Sequence, residues 1–438
     1  MSTQRSESTL DRFRGCLVGG AVGDALGYAV EFSGEGEIFS RYGMSGITSY
    51  ELDPASGKAL VSDDTQMTLF TANGILFGLT RGTLRGIAAP PRHYVAIAYQ
   101  DWLLTQERSF QQAQASAADG HKRISWLLDV PELYHTRAPG NTCLSALHRH
   151  REASDTIEDY VAFAPQLNHS KGCGGVMRAA PAGLAWAGGD LAVADEEAAQ
   201  IAAITHGHPL GYLPAAVLAH IVARLAIGGT TLEEAVAEAR NAVADLFARH
   251  AHLQELIDII DLAIELAGNT DADLDNIHRL GEGWVGEEAL AIAIYCALRH
   301  KDDFSAGIIA AVNHRGDSDS TGAVCGNILG ALLGYHAIGE RWTADLELLD
   351  VTLELADDLF TGHKTDAHGT CKNPAWECKY VQCHRYEGNP TENATAETMD
   401  EDEQKRFVAE WTMGLGVMGD PTNKGTAHRP QRRALRNS

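Results

Sequence analysis

The 438-residue sequence is short of positive charge: 35 Lys and Arg stand against 59 Asp and Glu, a formal net charge of −24. A surface that acidic repels nucleic acid and anionic lipid, so neither is expected as a partner. An anionic small substrate is still compatible, because a bound metal or a local donor cluster reverses the field inside a pocket. The N-terminus, MSTQRSESTLDRFRG, lacks the apolar core of a signal peptide. The eight cysteines are scattered and include no Cys-x-x-Cys pair. That pattern points to a reduced, cytoplasmic protein rather than a disulfide framework. Strand signals are scarce too: β-branched runs are short and no segment alternates cleanly. One stretch, 320–339, has no Asp, Glu, Lys or Arg and is about as long as a membrane span. It is glycine-rich, contains Asn327 and His336, and directly follows Asp317 and Asp319, so it reads as a buried helix.

Helix is what remains. Residues 64–79, 213–227, 232–248, 253–266 and 288–298 are alanine- and leucine-rich with helical apolar spacing. The fold class expected is all-α. A compact domain over 1–362, with its last helix ending near Phe360, precedes an appended segment over 363–438 that is partly disordered in its last stretch.

Two segments share a glycine pattern: Gly15, Gly19, Gly23 and Gly27, then Gly322, Gly326, Gly330 and Gly334. A spacing of four places them on one helix face. Each glycine costs about 1 kcal/mol relative to alanine inside a helix. Such a face is explained by close approach of another backbone, so the two helices should pack on each other or on a common neighbour.

The chemistry gathers at two acid–hydroxyl clusters, Ser62-Asp63-Asp64-Thr65 and Gly316-Asp317-Ser318-Asp319-Ser320-Thr321, each opening a helix. Separately, each is an ordinary helix start, with a capping hydroxyl and acids in the first turn. Together they are a hard-oxygen ligand set suited to magnesium or manganese. Four acids brought together without a cation would repel and hold raised pKa values. Two divalent ions about 3.5–4 Å apart would neutralise them and clamp a reacting oxygen.

The order of motifs resembles the ADP-ribosylglycohydrolase family. Arg14-Gly15-Cys16-Leu17 through Gly23-Asp24-Ala25-Leu26-Gly27 and Glu31-Phe32 is similar to its opening signature, and Ser62-Asp63-Asp64-Thr65 to its first metal motif. Gly172-Cys173-Gly174-Gly175-Val176-Met177-Arg178 resembles its substrate loop, Thr205-His206 with Leu210-Gly211-Tyr212 the next helix start, and Gly316-Asp317-Ser318-Asp319-Ser320 the second metal motif. The blocks cover roughly Arg12 to Phe360. The resemblance implies a compact multi-helix orthogonal bundle with a central binuclear site holding two Mg2+ or Mn2+. The metal positions are then Ser62, Asp63, Asp64, Asp317, Asp319 and Ser320. Catalytic roles are implied for Glu31, Asp63 and Asp319, and substrate contacts for Glu31, Ser170, Gly172, Cys173, Gly174 and His206. The implied reaction is hydrolysis of the glycosidic bond between ADP-ribose and an acceptor. The substrate would be an ADP-ribosylated protein or small molecule, including a protein modified by a toxin or a regulatory ADP-ribosyltransferase. Two alternatives stand beside it: a non-catalytic ADP-ribose-binding module, and a hydrolase of another phosphorylated ribosyl compound.

Physical reasoning adds detail. N–H groups of a Gly-x-Gly-Gly turn approach a diphosphate closely, and Arg178 is either a phosphate ligand or an internal ion-pair partner. The sequence departs from the family at Cys173, where asparagine is common. Arg137-Ala138-Pro139-Gly140 also resembles a family loop. In the tail, Cys371, Cys378, Cys383 and His384, with His363 and His368 nearby, offer soft ligands for zinc, but their spacing fits no standard finger. Trp376 and Tyr380 suggest instead that the segment packs on the main domain.

Overall fold

The computed structural model describes residues 2–86, 89–115, 123–153, 168–362 and 373–387. Every regular element among them is helical, and β pairing there is limited to two isolated bridges, Ala59 with Leu346 and Gly172 with Val285. The five expected helices are present as Asp63–Arg85, Pro209–Ile227, Leu232–Leu246, Leu253–Ala267 and Gly286–Arg299. Local chemistry sets their ends. Thr231 and Glu234 form a reciprocal capping box at the start of Leu232–Leu246, and Gly86 closes Asp63–Arg85 in the left-handed conformation.

The two glycine stripes meet each other. Ser2–Tyr28 and Ser318–Leu333 run antiparallel, with Gly15 against Gly330, Gly19 against Gly326, Gly23 against Gly322 and Gly27 against Ser318. A Cβ at any of these glycines would enter the partner helix's backbone carbonyl. The stripe is therefore the condition for backbone contact, and its helix-propensity cost is offset by that packing. Asn327 extends the seam by donating to the Cys16 carbonyl at 2.8 Å. Gly334 departs from the expected stripe: it is the C-cap, with φ +87°, a conformation that favours glycine.

The 320–339 stretch is accordingly a core element, buried from Ser318 through Ala331. Among the described residues one helix, Pro209–Ile227, is long and apolar enough to cross a membrane, and it too is mostly buried within the protein. Arg14 anchors the first helix to Leu349–Thr361 through a bidentate pair with Asp357, at 2.5 and 2.7 Å.

Residues 373–387 lie on this core. Pro374–Tyr380 is a short helix capped by Asn373. Trp376 is buried and donates its ring N–H to Thr80 at 3.0 Å, and Tyr380 donates to Asp358 at 2.6 Å. Lys379 pairs with the same Asp358 and with Glu354. The packing role expected of Trp376 and Tyr380 is thus present. Of the soft-ligand set, His363, His368 and Cys371 lie outside the described residues, as does 388–438. Cys378 and Cys383 are free thiols, and His384 bonds Asp129.

Candidate active site

The glycine seam sets the second acid cluster beside the first helix, whose Asp24 binds the start of the first cluster. Ser62 is the N-cap of Asp63–Arg85, its hydroxyl accepting the Asp64 N–H at 3.1 Å. Asp317 is the N-cap of Ser318–Leu333, accepting the Ser320 N–H at 3.3 Å. Both ordinary cap roles are therefore real, and the pairing comes on top of them. The Ser320 hydroxyl donates to Asp64 at 2.8 Å, across 256 positions of sequence. Gly316 makes the second cluster possible. Its φ is +121°, and a Cβ there would meet the Glu282 carbonyl, which already accepts the Asp317 N–H at 2.8 Å.

Asp63 is held by the loop at 137–140. Its N–H donates to the Arg137 carbonyl at 3.0 Å, and one carboxylate oxygen accepts from Gly140 at 3.4 Å. Ala138 in that loop has φ +50°, a strained conformation of the kind that gathers at functional sites. Glu31 sits in the turn that follows the first helix, buried, with one carboxylate oxygen that bonds no protein group.

Asp24 was missed as a site residue. It is fully buried and accepts the N–H groups of Ser62 and Thr65 at 3.0 Å, as well as the Thr65 hydroxyl. It therefore clamps the start of the first cluster. The available signal was a lone acid inside an otherwise apolar, glycine-striped helix.

Electrostatics mark the region as deficient in positive charge. Burial pushes the carboxyls of Asp63, Asp64 and Asp319 well above the usual carboxylate range, and neighbouring acids add to it. Glu31 is raised to about 9 by burial and by Asp317, Asp63 and Asp24. Asp24 rises to about 6, since its hydrogen bonds offset part of its burial. A divalent cation at these oxygens would offset the burial and mutual repulsion that raise them, and the donor set is all hard oxygen. That is the fit expected of magnesium or manganese. Among the described residues, however, no three His, Cys, Asp or Glu side chains form a ready-made cage. The clusters are joined through the Ser320 hydroxyl, and the Cys173 thiol of the glycine-rich loop donates to Asp317 at 2.7 Å.

The Gly172–Gly175 loop borders these acids. Gly172 bridges to Val285, and Cys173 donates to the Trp284 carbonyl at 3.2 Å. Gly172 donates to Ser170 Oγ at 3.3 Å, and Ser170 Oγ also contacts Thr142 at 3.1 Å. Packing explains the glycines at 174 and 175. A Cβ at Gly174 would lie 3.0 Å from both Cys143 Sγ and the His206 ring, and one at Gly175 would strike the Gly211 carbonyl.

Behind the loop lies a relay that the sequence did not disclose. Arg178 is fully buried, with its guanidinium 4.6 Å from the Tyr99 ring centre. It donates to Thr205 Oγ1 at 2.6 Å, and that oxygen lies 2.8 Å from His206 Nδ1. Among the described residues no acid pairs with Arg178; its contacts are Thr205, Cys143, Met67 and Tyr99. Arg178 only donates, so the Thr205 hydroxyl can give its own proton to His206 Nδ1, and in that arrangement the ring N–H is on Nε2, on the Gly172 side. Burial, and then the Arg178 charge, lower the His206 pKa to about 3, so the ring is neutral.

The two acid–hydroxyl helix starts thus meet through Ser320 and Asp64, Glu31 lies within reach of the charges of Asp63 and Asp317, Cys173 bonds Asp317, and Ser170 and His206 pack on the Gly172–Gly174 turn behind it. The ADP-ribosylglycohydrolase family profile matches residues 5–368. The chain is 28% identical over 345 residues to the ADP-ribosyl-[dinitrogen reductase] glycohydrolase of Rhodospirillum rubrum, covering 78% of this chain and 92% of that one. It is 24% identical over 379 residues to the mouse (Mus musculus) ADP-ribosylhydrolase ARH3, covering 80% and 91%. A solved structure titled as an ADP-ribosylglycohydrolase-related protein complex superposes with TM-score 0.51 at 22% identity, covering 81% and 98%, which supports the fold. The chain belongs to the ADP-ribosylglycohydrolase family.

Proposed function

We propose that the protein is a cytoplasmic, divalent-metal-dependent hydrolase that releases ADP-ribose from a modified protein or small molecule. The observation that carries this is the meeting of the two acid–hydroxyl helix starts through Ser320 and Asp64, with burial raising Asp63, Asp64 and Asp319 well above the usual carboxylate range. Magnesium or manganese held by Ser62, Asp63, Asp64, Asp317, Asp319 and Ser320 would neutralise the acids and polarise oxygen ligands at the anomeric carbon.

The chain's own groups do the rest. Asp24 fixes the first cluster by binding its N–H groups. Gly316 and the Glu282 carbonyl fix the second. The unbonded Glu31 oxygen is the atom available to exchange a proton with the departing acceptor or with a ribose hydroxyl. Asp63 and Asp319, at the two helix starts, orient the attacking water. His206 offers an Nε2–H to an oxygen of the ribose or diphosphate while staying neutral across the physiological range. Ser170 and the Gly172–Gly174 backbone shape the adjoining wall. The free thiols among the described residues suit a reducing compartment.

A non-catalytic binding module would bind ADP-ribose and never release it from an acceptor. The test is a panel of ADP-ribosylated proteins and small compounds incubated with the protein and magnesium, with free ADP-ribose as readout. Release from at least one member supports hydrolysis. Binding of ADP-ribose with no release from any would make the protein a binding module.

A further inference from the structure

One sulfur lies among the hard oxygens. Cys173 opens the short 3-10 turn Cys173–Gly175 and holds its Sγ 2.7 Å from Asp317 Oδ2. Asp64 and the Ser320 hydroxyl act on the same thiol, and these are the two groups that join the acid clusters. Backbone fixes the approach: the Cys173 N–H donates to the Trp284 carbonyl, and Gly172 bridges to Val285. The residue is only partly buried, unlike Cys16, Cys143, Cys296 and Cys325, so a dissolved ion can reach it.

Glu31 is a second group beside Asp317 with bonding capacity to spare. It is 7% exposed, its Oε2 bonds no protein group, and among the acids Asp317 acts on it most strongly. Distances suit a shared ion. Two ligands of one ion, each ~2.0–2.3 Å from it, stand roughly 3.0–3.5 Å apart. The sulfur and the Asp317 oxygen are held closer than that by the thiol proton, so an ion replacing the proton opens the pair by less than about 1 Å.

Donor chemistry decides which ion does so. Magnesium prefers oxygen and leaves the thiol protonated on Asp317. Thiolate is a ligand for softer ions. We propose that Cys173 makes this site a binding site for thiophilic divalent cations, zinc or cadmium, held jointly by its sulfur and the acid clusters. This rests on the metal reading of those clusters above. The S–H bond breaks, a sulfur–metal bond forms, and the proton passes to water. Such an ion ties the Gly172–Gly175 loop to Asp317 and competes with magnesium or manganese for the acids.

The test uses the reduced, metal-free, full-length protein and needs no turnover. Cadmium titration should give the near-ultraviolet absorbance of sulfur-to-metal charge transfer. Part of that absorbance should be lost in Cys173→Ser, a comparison in which the other thiols cancel. The same part should be lost in Asp317→Asn. In Cys173→Ser the cadmium Kd should rise ~10–100-fold, while the manganese Kd, read by water-proton relaxation, should change less than about 3-fold. An absorbance identical in wild type and Cys173→Ser overturns the inference, as does a Cys173-dependent band that persists in Asp317→Asn. Equal loss of cadmium and manganese affinity in Cys173→Ser, the mark of a merely structural thiol, overturns it too. Saturable manganese binding by the wild type with no Cys173-dependent band sinks the inference and leaves the metal reading standing. The band without any manganese binding supports the sulfur site and counts against that reading.

Discussion

Glu31→Gln offers a direct check on the electrostatics of the site. In the native protein, burial and the nearby Asp317, Asp63 and Asp24 raise the Glu31 carboxyl to about 9. In the unfolded chain a glutamate ionises near ~4.3. Between those values the native state holds one more proton than the unfolded state, so stability falls as pH rises. The contribution is complete below about pH 4.3 and is lost on the way to pH 9. The slope is about 1.4 kcal/mol per pH unit, so raising the pH from 5 to 7 should cost the chelated protein about 3 kcal/mol through Glu31 alone. That is a large share of an ordinary folding free energy of about 5–15 kcal/mol. Asp63, Asp64 and Asp319 are raised too and add slopes of the same sign. Glutamine keeps the shape and has no proton to lose. Denaturant titrations at pH 5, 6 and 7 in excess chelator should give a shallower fall for Glu31→Gln than for the wild type, by about 1.4 kcal/mol per unit. Parallel curves would refute the reasoning, since they would mean that Glu31 ionises alike in the folded and unfolded chains.

Three further outcomes are expected. Gly326→Ala drives a Cβ into the Gly19 carbonyl and should destabilise by about 1–3 kcal/mol; in the control Gly36→Ala, a Cβ meets nothing within 4 Å, and the melting temperature should hold or rise slightly. Trp376→Ala should cost about 3–5 kcal/mol by denaturant titration while leaving turnover per folded molecule near wild type, because the ring is buried against Thr80, away from the acids. Arg178→Met should free Thr205 and mix the His206 tautomers, seen as a shift in its ring 15N resonances together with a raised KM; a single unchanged Nε2–H tautomer would contradict the relay.

The fold was largely readable because its determinants are periodic. Apolar spacing located the long helices, and glycines four apart implied backbone contact before any partner was known. Ser62-Asp63-Asp64 and Asp317-Ser318-Asp319-Ser320 were readable because each packs its acids and hydroxyls into a few consecutive residues. Contacts between single distant residues were not readable. Asp24 clamps Ser62 from 38 positions away, the Cys173 thiol reaches Asp317 across 144, and Arg178 meets Thr205 across 27. No local pattern encodes such pairings. The Gly-x-Gly-Gly motif suggested a phosphate cradle, yet Gly174 and Gly175 are also demanded by Cys143, His206 and the Gly211 carbonyl. A glycine run signals close approach without saying of what.

The central claim is that the two joined acid clusters bind divalent metal and thereby hydrolyse an ADP-ribosyl bond. The most direct measurement is release of ADP-ribose from a substrate of the panel by wild-type protein and by Asp317→Asn, each with magnesium and again after exhaustive chelation. The wild type should release ADP-ribose with magnesium, stop in chelator and recover on adding the metal back, and Asp317→Asn should release little or none in either state. Full release by the chelated wild type, or undiminished release by Asp317→Asn, would contradict it.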